Sequence, residues 1–478
     1  MEYKGITSKD SYCSYYKDVS HNILCGKSHL QDRKDIIMKE ITNKDLQNLN
    51  DSIEKKPMQK ALRRVLFKNE LTNLFEKQEQ KSLTQYKFSN EIKTLPVSNQ
   101  QKSGRCWIFA GLNVLREVIA NKYAVKEFEF SQNYTAFWDK FEKINYFIES
   151  VDDFLEVDID DRTLQHILKT GIQDGGQWDM FVSLVEKYGV VPLDAMVETA
   201  SSSNTKIMNQ IINVKLRQYA SNARHLIADG KKDEVDLLKS KTLEELYTFL
   251  TTNFGIPPKK FDFEYLSNDE YHIIKDLTPQ GFYKEQIGGT LNNYVSVIHA
   301  PTKDKPFLNT YTVNYLGNVV GGKDIKYLNL EMSDLKDLVL KQLIDNEVVW
   351  FGSDVARYGE RKEGFWDDES FDYDEMLEMS LQLSKEDSLD YSQSAMNHAM
   401  VLSGVNMDDG LPNRWKIENS WGDKSGSKGY FLCTDTWFDK FVYQAVIHRK
   451  YLSDEQAKAW DLKPIELKPW DPMGSLAE

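Results

Sequence analysis

A buried helix that begins at a cysteine is the feature that most constrains the fold of this chain. The turn sequence Ser103-Gly104 comes just before Cys106. Beyond Cys106, apolar residues recur at helical spacing, at Ile108, Leu112, Leu115, Val118 and Ile119. The sequence therefore predicts Cys106 in the first turn of a buried helix. Unpaired N–H groups and the positive end of the helix dipole favour a thiolate at that position.

Gln100 lies on the segment that enters this helix, six residues before Cys106. Its side chain is a candidate donor to an oxyanion formed during attack by the thiolate. The alternative is purely structural, since a cysteine beside a tryptophan is a common core pair. This stretch alone leaves both interpretations open.

Length and charge limit the classes of protein to consider. The 478 residues suffice for two or three lobes of ~100–200 residues, and no apolar run approaches the ~18 residues of a membrane span. Lysine and arginine number 60 against 74 acidic residues, a net charge of −14. This balance argues against nucleic-acid binding and against anionic membranes as partners.

The four cysteines are Cys13, Cys25, Cys106 and Cys433, and no Cys-x-x-Cys pair occurs. This usage favours neither a disulfide framework nor a thiolate zinc site. The N-terminus has no apolar signal-peptide core. We therefore expect a cytosolic protein with no metal and no cofactor.

The coarse element pattern predicts an α+β protein. Thr42 and Asp45 form a capping-box pattern, and Pro57 interrupts or starts a helix. Further helices are expected over 130–149, 180–188 and 201–253, the last followed by Gly255-Ile256-Pro257-Pro258. Strands are expected at 294–298, 310–313, 326–330, 348–353, 429–433 and 444–447. His398–Val405 and Arg414–Glu418 read as a hairpin around a turn at 407–412. The tail from Asp454 is rich in proline and tryptophan and shows no regular pattern.

A cysteine nucleophile needs a base, and the base needs a third group that orients it. His398 begins one strand of the predicted hairpin, and Asn419 follows the end of the other. An antiparallel hairpin can bring the two side chains together, with Trp421 covering them from water. Gly175 and Gly176 permit close approach of another backbone, such as a substrate strand, although a plain turn is the alternative.

Three motifs together resemble papain-type cysteine peptidases: Asn99-Gln100 with Gly104-Arg105-Cys106-Trp107, then Asn397-His398-Ala399, then Glu418 to Gly422. The bleomycin hydrolase branch, which includes bacterial aminopeptidase C, is the more similar one. Arg105 after Gly104, Ser103 in place of a loop cysteine, and Asp-Gly-Gly-Gln-Trp at 174–178 are typical of it. His398 also follows Cys106 by 292 residues, about twice the ~130–150 of simple papains.

The resemblance implies roles at the matched positions. Cys106 is the nucleophile, His398 the general base and acid, and Asn419 the group that orients the imidazole. Gln100 and the Cys106 N–H form the oxyanion hole. The substrate-binding positions are Gly175, Gly176, Trp421 and Ala477. The implied reaction is hydrolysis of N-terminal residues from peptides through a thioester, with bleomycin-like amides or homocysteine thiolactone as further substrates.

The implied fold has two papain-like lobes, a helical one that carries Cys106 and a β-barrel-like one that carries His398 and Asn419. Residues 39–200 are predicted to form the helical lobe, 201–330 an inserted mainly helical domain, 331–453 the β lobe, and 454–478 a C-terminal arm. Residues 1–38 are an extension with no assigned role. The family also implies a homohexamer, an arm that lies in the active-site cleft, and removal of Glu478 by Cys106.

Two other functions share parts of this pattern. An acyl or amide transferase would use the same Cys-His pair, but no second acceptor site is marked in the sequence. A binding scaffold without activity would not need Gln100, Cys106, His398 and Asn419 together.

Overall fold

The computed structural model describes residues 39–71, 75, 77 and 85–477. The chain divides into two compact units, one up to Glu70 and one from Leu71 onward. The predictions for residues 1–38 and for Glu478 lie outside the described residues.

The described part of the first unit consists of two helices, α1 (Asn43–Glu54) and α2 (Pro57–Leu66). Thr42 and Asp45 form the predicted capping box at the start of α1, and Pro57 is the first residue of α2. Proline is favoured there because its missing N–H has no intrahelical partner at that position.

The second unit contains the remaining helices and all of the strands among the described residues. Its helices are α3 (Cys106–Tyr123), α4 (Gln132–Asp152), α5 (Arg162–Thr170), α6 (Trp178–Tyr188), α7 (Lys206–Ala228), α8 (Asp233–Phe254), α9 (Pro279–Gly281), α10 (Met332–Ile344), α11 (Tyr373–Leu377), α12 (Lys385–Asp390), α13 (Asp435–Phe441) and α14 (Asp454–Trp460). Short 3₁₀ turns occupy Leu193–Ala195, Leu291–Asn293, Arg449–Tyr451 and Pro472–Gly474, and a π-helical turn occupies Phe282–Ile287.

The strands are β1 (Asn90–Glu91), β2 (Phe261–Ser267), β3 (Glu270–Leu277), β4 (Tyr294–Ile298), β5 (Asn309–Val313), β6 (Tyr327–Asn329), β7 (Val349–Ser353), β8 (Gly359–Glu360), β9 (Phe365–Trp366), β10 (His398–Asp408), β11 (Leu411–Glu418), β12 (Tyr430–Thr434), β13 (Val442–His448) and β14 (Ile465–Leu467). One large mixed sheet has the order β14-β5-β6-β4-β13-β7-β10-β11-β12-β9-β8, and β1 pairs with β10. The strands β2 and β3 form a separate hairpin. The predicted α+β class is confirmed.

Two hydrophobic cores hold this unit together. One surrounds α3, α4 and α6, where Trp107, Phe137 and Trp178 have no exposed surface. The other lies between α10 and the large sheet, around buried residues such as Leu335 and Phe351. The helix that starts at Cys106 therefore packs deep in the first core, and the hairpin that carries His398 belongs to the sheet.

Three sequence expectations differ from the structure. The hairpin turn is shorter than 407–412, because β10 continues to Asp408 and the chain reverses at Asp409-Gly410, both at positive φ. The segment 201–330 contains the two long helices α7 and α8, but its strands β4, β5 and β6 join the large sheet rather than a sheet of their own. The stretch after Asp454 was expected to lack regular structure, yet α14 forms there behind a Ser453–Gln456 capping box.

Among the described residues, no helix is both long enough and apolar enough to cross a membrane.

Candidate active site

Cys106 is the first residue of α3, as predicted, and it has no exposed surface. Arg105, the residue before it, places no side-chain cap on the helix. Because α3 begins at Cys106, the positive end of the helix dipole lies at the thiol, where it favours negative charge on sulfur.

Gln100 is held in one orientation by two neighbours. Its Nε2 donates to the Ser103 carbonyl at 2.6 Å, and its Oε1 accepts from the Ser420 hydroxyl at 2.6 Å. The Gln100 backbone N–H also donates to the Ser420 carbonyl at 2.8 Å. The amide nitrogen thus faces the loop before Cys106, and a primary amide carries a second donor hydrogen that can serve an oxyanion.

The structure brings His398 and Asn419 together, as the hairpin predicted. His398 Nε2 lies 3.0 Å from Asn419 Oδ1, and both residues are buried. The same oxygen accepts the Ser420 N–H at 2.8 Å, which sets the orientation of the Asn419 amide. Because Oδ1 can only accept, His398 carries its proton on Nε2, and Nδ1 is the nitrogen that can take a proton from the thiol.

Trp421 covers this pair. Its ring centroid lies 4.9 Å from that of His398 at an interplanar angle of 32°. The Arg361 guanidinium lies 4.2 Å from the Trp421 ring centroid, a cation–π distance. A bridge between Asn99 and Trp421 ties the tryptophan to the segment that leads to Cys106. The predicted shielding of the pair by Trp421 agrees with this arrangement.

A hydrogen bond joins the cysteine helix to the histidine strand. The backbone N–H of Ala399 donates to Cys106 Sγ at 3.4 Å. Ala399 directly follows His398 at the start of β10, so the strand presents this histidine beside the thiol. Cys106, His398 and Asn419 are therefore gathered at one point between α3 and the sheet.

The Gly175-Gly176 segment lies against the tryptophan that follows the cysteine. The Trp107 Nε1 donates to the Asp174 carbonyl at 2.7 Å. A Cβ added at Gly176 would lie 2.4 Å from the Trp107 ring. Glycine is required here because the backbone packs directly on the indole.

The Asp174 carboxylate connects this segment to the loop before Cys106. It accepts the Gly104 N–H at 3.1 Å and an Asn209 amide N–H at 3.0 Å, and it pairs with the Lys140 ammonium. Burial alone raises the pKa of Asp174, but Lys140 and the hydrogen bonds from Thr205 and Asn209 outweigh it and hold the pKa below its usual range. Asp174 is therefore a buried anion that ties three segments together.

The C-terminal arm reaches this segment. The Gly176 N–H donates to the Ala477 carbonyl at 3.2 Å, in an antiparallel bridge. The Gln177 Nε2 donates to the Ser475 carbonyl at 2.6 Å. Further back, the buried Lys305 pairs with Asp471 at 2.9 Å. The arm is thus held at several points, and Ala477 is fully buried.

A cavity of about 360 Å³ lies behind the arm, between α4, α5 and residues 469–476. Neither Cys106 nor His398 lines it. It is lined by residues of the arm, such as Leu476, together with Lys143 and Gln173.

Arg105 has a partner that the sequence does not mark. Its guanidinium makes two bonds of 3.0 Å to the Glu198 carboxylate, and its Nε donates to the Ser103 hydroxyl at 2.9 Å. Arg105 belongs to the motif around Cys106, but no motif includes Glu198, which lies 93 residues away. The pair fixes the turn from which α3 begins.

Cys433 is a free, fully buried cysteine. Burial, with Asp435 and Asp367 nearby, raises its pKa well above the usual range. It lies in the core around the large sheet, away from the first turn of α3, so Cys106 is the better-placed nucleophile of the two.

Comparison with known proteins agrees with this geometry. The sequence profile of the Peptidase C1-like family matches residues 40–474. Aminopeptidase C of Lactobacillus delbrueckii subsp. lactis is 48% identical over 380 residues, 78% of this chain and 85% of the relative. Aminopeptidase C of Listeria monocytogenes is 48% identical over 376 residues, with the same coverage of both chains. The crystal structure of PepW from Lactobacillus rhamnosis HN001 superposes with a TM-score of 0.89 at 46% identity, covering 92% of this chain and 99% of that chain.

Proposed function

The chain belongs to the Peptidase C1-like family and is a cysteine aminopeptidase of papain-like fold, and we propose that it releases N-terminal residues from peptides through a thioester on Cys106. His398 takes the thiol proton through Nδ1 and returns it to the leaving amine. Asn419 keeps the imidazole in the required tautomer. Water then hydrolyses the thioester.

In this proposal the Cys106 N–H and Gln100 Nε2 donate to the oxyanion. Such donors typically contribute ~10²–10³ in rate each. The two hydrogen bonds of the Gln100 side-chain amide, to the Ser103 carbonyl and from the Ser420 hydroxyl, support the proposal. A donor that is already oriented does not reorganise during the reaction.

The single observation that carries the aminopeptidase proposal is the bond between Gly176 N–H and the Ala477 carbonyl. An arm paired with this segment occupies backbone positions that a longer substrate would need. A carboxylate at the end of the arm then pairs with the free α-ammonium of a peptide. Only a peptide whose amino end lies at this carboxylate can place its first peptide bond at Cys106.

Deletion of residues 471–478 tests this proposal. The full-length enzyme is expected to remove residues stepwise from a free peptide and to leave an amino-blocked peptide intact, as followed by mass over time. The truncated form should cleave the blocked peptide and lose stepwise release. An internal first cut by the full-length enzyme, or an unchanged amine requirement after truncation, would exclude the arm as the determinant.

Two variants identify the nucleophile in the same assay. Cys106→Ala is expected to abolish turnover and to keep the fold, whereas Cys433→Ala should retain activity. Loss of activity only in the second variant would assign the reaction to Cys433. We also propose that Cys106 removes Glu478, so the intact mass of the active protein should be lower than that of Cys106→Ala by this residue, after correction for the substitution.

The finer substrate range is also a proposal. Homocysteine thiolactone is a small acyl compound with a free amine next to its carbonyl, which suits a site that requires that amine. Bleomycin-like amides are the second candidate. Formation of homocysteine from the thiolactone, and release of ammonia or an amine from the amide, by the wild type and not by Cys106→Ala would support them.

A homohexamer in the cytosol completes the proposal. The exposed side chains of Ile207, Ile211 and Val214 follow one face of α7 at helical spacing, and an apolar stripe of this kind suits contact with a second copy. The low cysteine content, four in 478 residues with no Cys-x-x-Cys pair, suits a reducing compartment. With a net charge of −14, we do not expect retention on nucleic acid, which a salt-dependent binding test would check.

A further inference from the structure

Lys143 is a buried cation that the proposed mechanism does not use. It lies on α4, and its side chain is only 6% exposed. Its ammonium donates to the Gly175 carbonyl at 2.6 Å and to the Gln173 carbonyl at 3.0 Å, and it pairs with Asp139 at 2.8 Å. These three acceptors match the three hydrogens of an ammonium group.

The hydrogen bond from Lys143 acts on the peptide group that joins Gly175 to Gly176. The Gly175 carbonyl and the Gly176 N–H are the two ends of one planar peptide unit. Lys143 therefore holds one end of the group whose other end donates to the Ala477 carbonyl at 3.2 Å. A charged donor at the carbonyl also polarises the peptide and strengthens its N–H as a donor.

The Gly175-Gly176 segment needs contacts that fix its backbone conformation. Two successive glycines have more backbone freedom than any other pair of residues. The Trp107 ring limits the segment from one side, and its Nε1 holds the preceding carbonyl of Asp174. The Lys143 ammonium lies 5.2 Å from the centre of the same ring. Trp107 and Lys143 together thus hold two consecutive carbonyls, those of Asp174 and Gly175.

We propose that Lys143 is a positioning residue whose ammonium fixes the Gly175–Gly176 peptide group, so that the Gly176 N–H holds the arm, or a substrate backbone in its place, in one register. This inference rests on the proposed function for its effect on specificity. The effect on the Gly176 N–H itself does not depend on that function.

The charged neighbours of Lys143 set the choice of control. Asp139 keeps a bond from the Asn318 amide at 3.0 Å when Lys143 is removed. Asp179, also buried, pairs with Lys323 at 2.8 Å and keeps the Lys326 N–H at 3.0 Å when Lys323 is removed. Lys143→Met and Lys323→Met therefore each leave a buried aspartate with one neutral donor, and only the first breaks a bond to the glycine segment.

The test compares the full-length wild type with both variants. Amide hydrogen exchange in fragments that span residues 173–177 is expected to be about tenfold faster in Lys143→Met and unchanged in Lys323→Met. The ratio of kcat/KM for an amino-blocked peptide to that for a free peptide should rise about tenfold in Lys143→Met alone, as loss of one hydrogen bond from a charged donor predicts. If Lys143→Met does not fold, Lys143→Met with Asp139→Asn replaces it, because the double variant does not leave the Asp139 carboxylate buried without its lysine.

The outcomes are separable. Equal exchange in the two variants overturns the inference, and so does faster exchange with an unchanged selectivity ratio. If the wild type cleaves blocked and free peptides alike, the proposed function of the arm fails, and exchange at residues 173–177 alone decides the role of Lys143.

Discussion

The Asn419 side-chain oxygen lies between two donors, His398 Nε2 and the Ser420 N–H. In the proposed mechanism Asn419 acts on the reaction only through the imidazole, so its loss lowers the fraction of correctly oriented histidine. Loss of the imidazole itself removes proton transfer, which is typically worth ~10²–10⁴ in rate. We therefore expect His398→Ala to lose more kcat/KM than Asn419→Ala.

Peptide hydrolysis by the two variants checks this prediction, with Asn413→Ala as the control. Asn413 accepts from Asn406 at 3.0 Å at the far end of the same hairpin, so its replacement should leave activity near the wild-type value. Equal losses in His398→Ala and Asn419→Ala would mean that Asn419 does more than orient the ring.

Glu117 on α3 links stability to pH. Burial raises its pKa to about 7, despite the Leu95 N–H at 3.1 Å and the neighbouring Arg116. Between its unfolded pKa of about 4.5 and about pH 7, the unfolded chain releases a proton that the folded chain keeps, so stability falls as pH rises through this window.

Glu117→Gln removes this titration and keeps an acceptor for the Leu95 N–H. From pH 4.5 to pH 8, the free energy of unfolding of the variant should rise relative to wild type by about 2–3 kcal/mol. Denaturant unfolding at the two pH values measures the difference. A constant difference across this range would show that Glu117 does not titrate in it.

At the scale of elements, the segment between α5 and α6 carries more constraint than its length suggests. Gly176 packs on the Trp107 ring, and its N–H meets the arm. In Gly176→Ala the new Cβ would displace either the ring or the segment. We expect kcat/KM to fall by at least about tenfold, since displacement of a substrate-binding group by even ~1 Å can cost more than that.

The melting temperature distinguishes this local effect from general damage. A loss of activity with little change in melting temperature is the expected result for Gly176→Ala. Full activity would show that the Gly175-Gly176 segment does not contact the substrate or the arm during turnover.

At the scale of the whole molecule, the stripe on α7 predicts self-association. The opposite face of this helix, with Met208, Ile212 and Leu216, is buried within the chain, so exposed apolar residues on the outer face need another explanation. A lysine in such a contact would bury an unpaired charge. Ile211→Lys is therefore expected to lower the mass measured by light scattering without unfolding the protein.

Leu411→Lys is the control, since Leu411 is an isolated exposed side chain at the tip of a hairpin. A wild type that is already monomeric would contradict the hexamer. An unchanged mass in Ile211→Lys would place the interface elsewhere.

Several elements could be predicted from the sequence because their signals are local. The apolar spacing after Cys106 indicated α3, and the Thr42–Asp45 pair indicated the start of α1. The tail after Asp454 was misread because its proline and tryptophan residues hid a capping signal at Ser453. The strands of 294–329 are correctly expected, but their membership of the large sheet is not, since periodicity within a strand does not tell which sheet it joins.

By itself, the sequence determined which side chains are proposed to carry the chemistry, because Cys106, His398 and Asn419 are recognisable by residue type and local motif. Only the tertiary structure decided what holds them: Glu198 on Arg105, Ser420 on Gln100, Lys143 on Gly175 and the arm on Gly176. All four contacts join residues that lie at least 32 positions apart in the chain. Hydrogen bonds and ion pairs at such separations leave no periodic trace in a sequence, because either partner alone is an ordinary polar residue until folding brings both to one place.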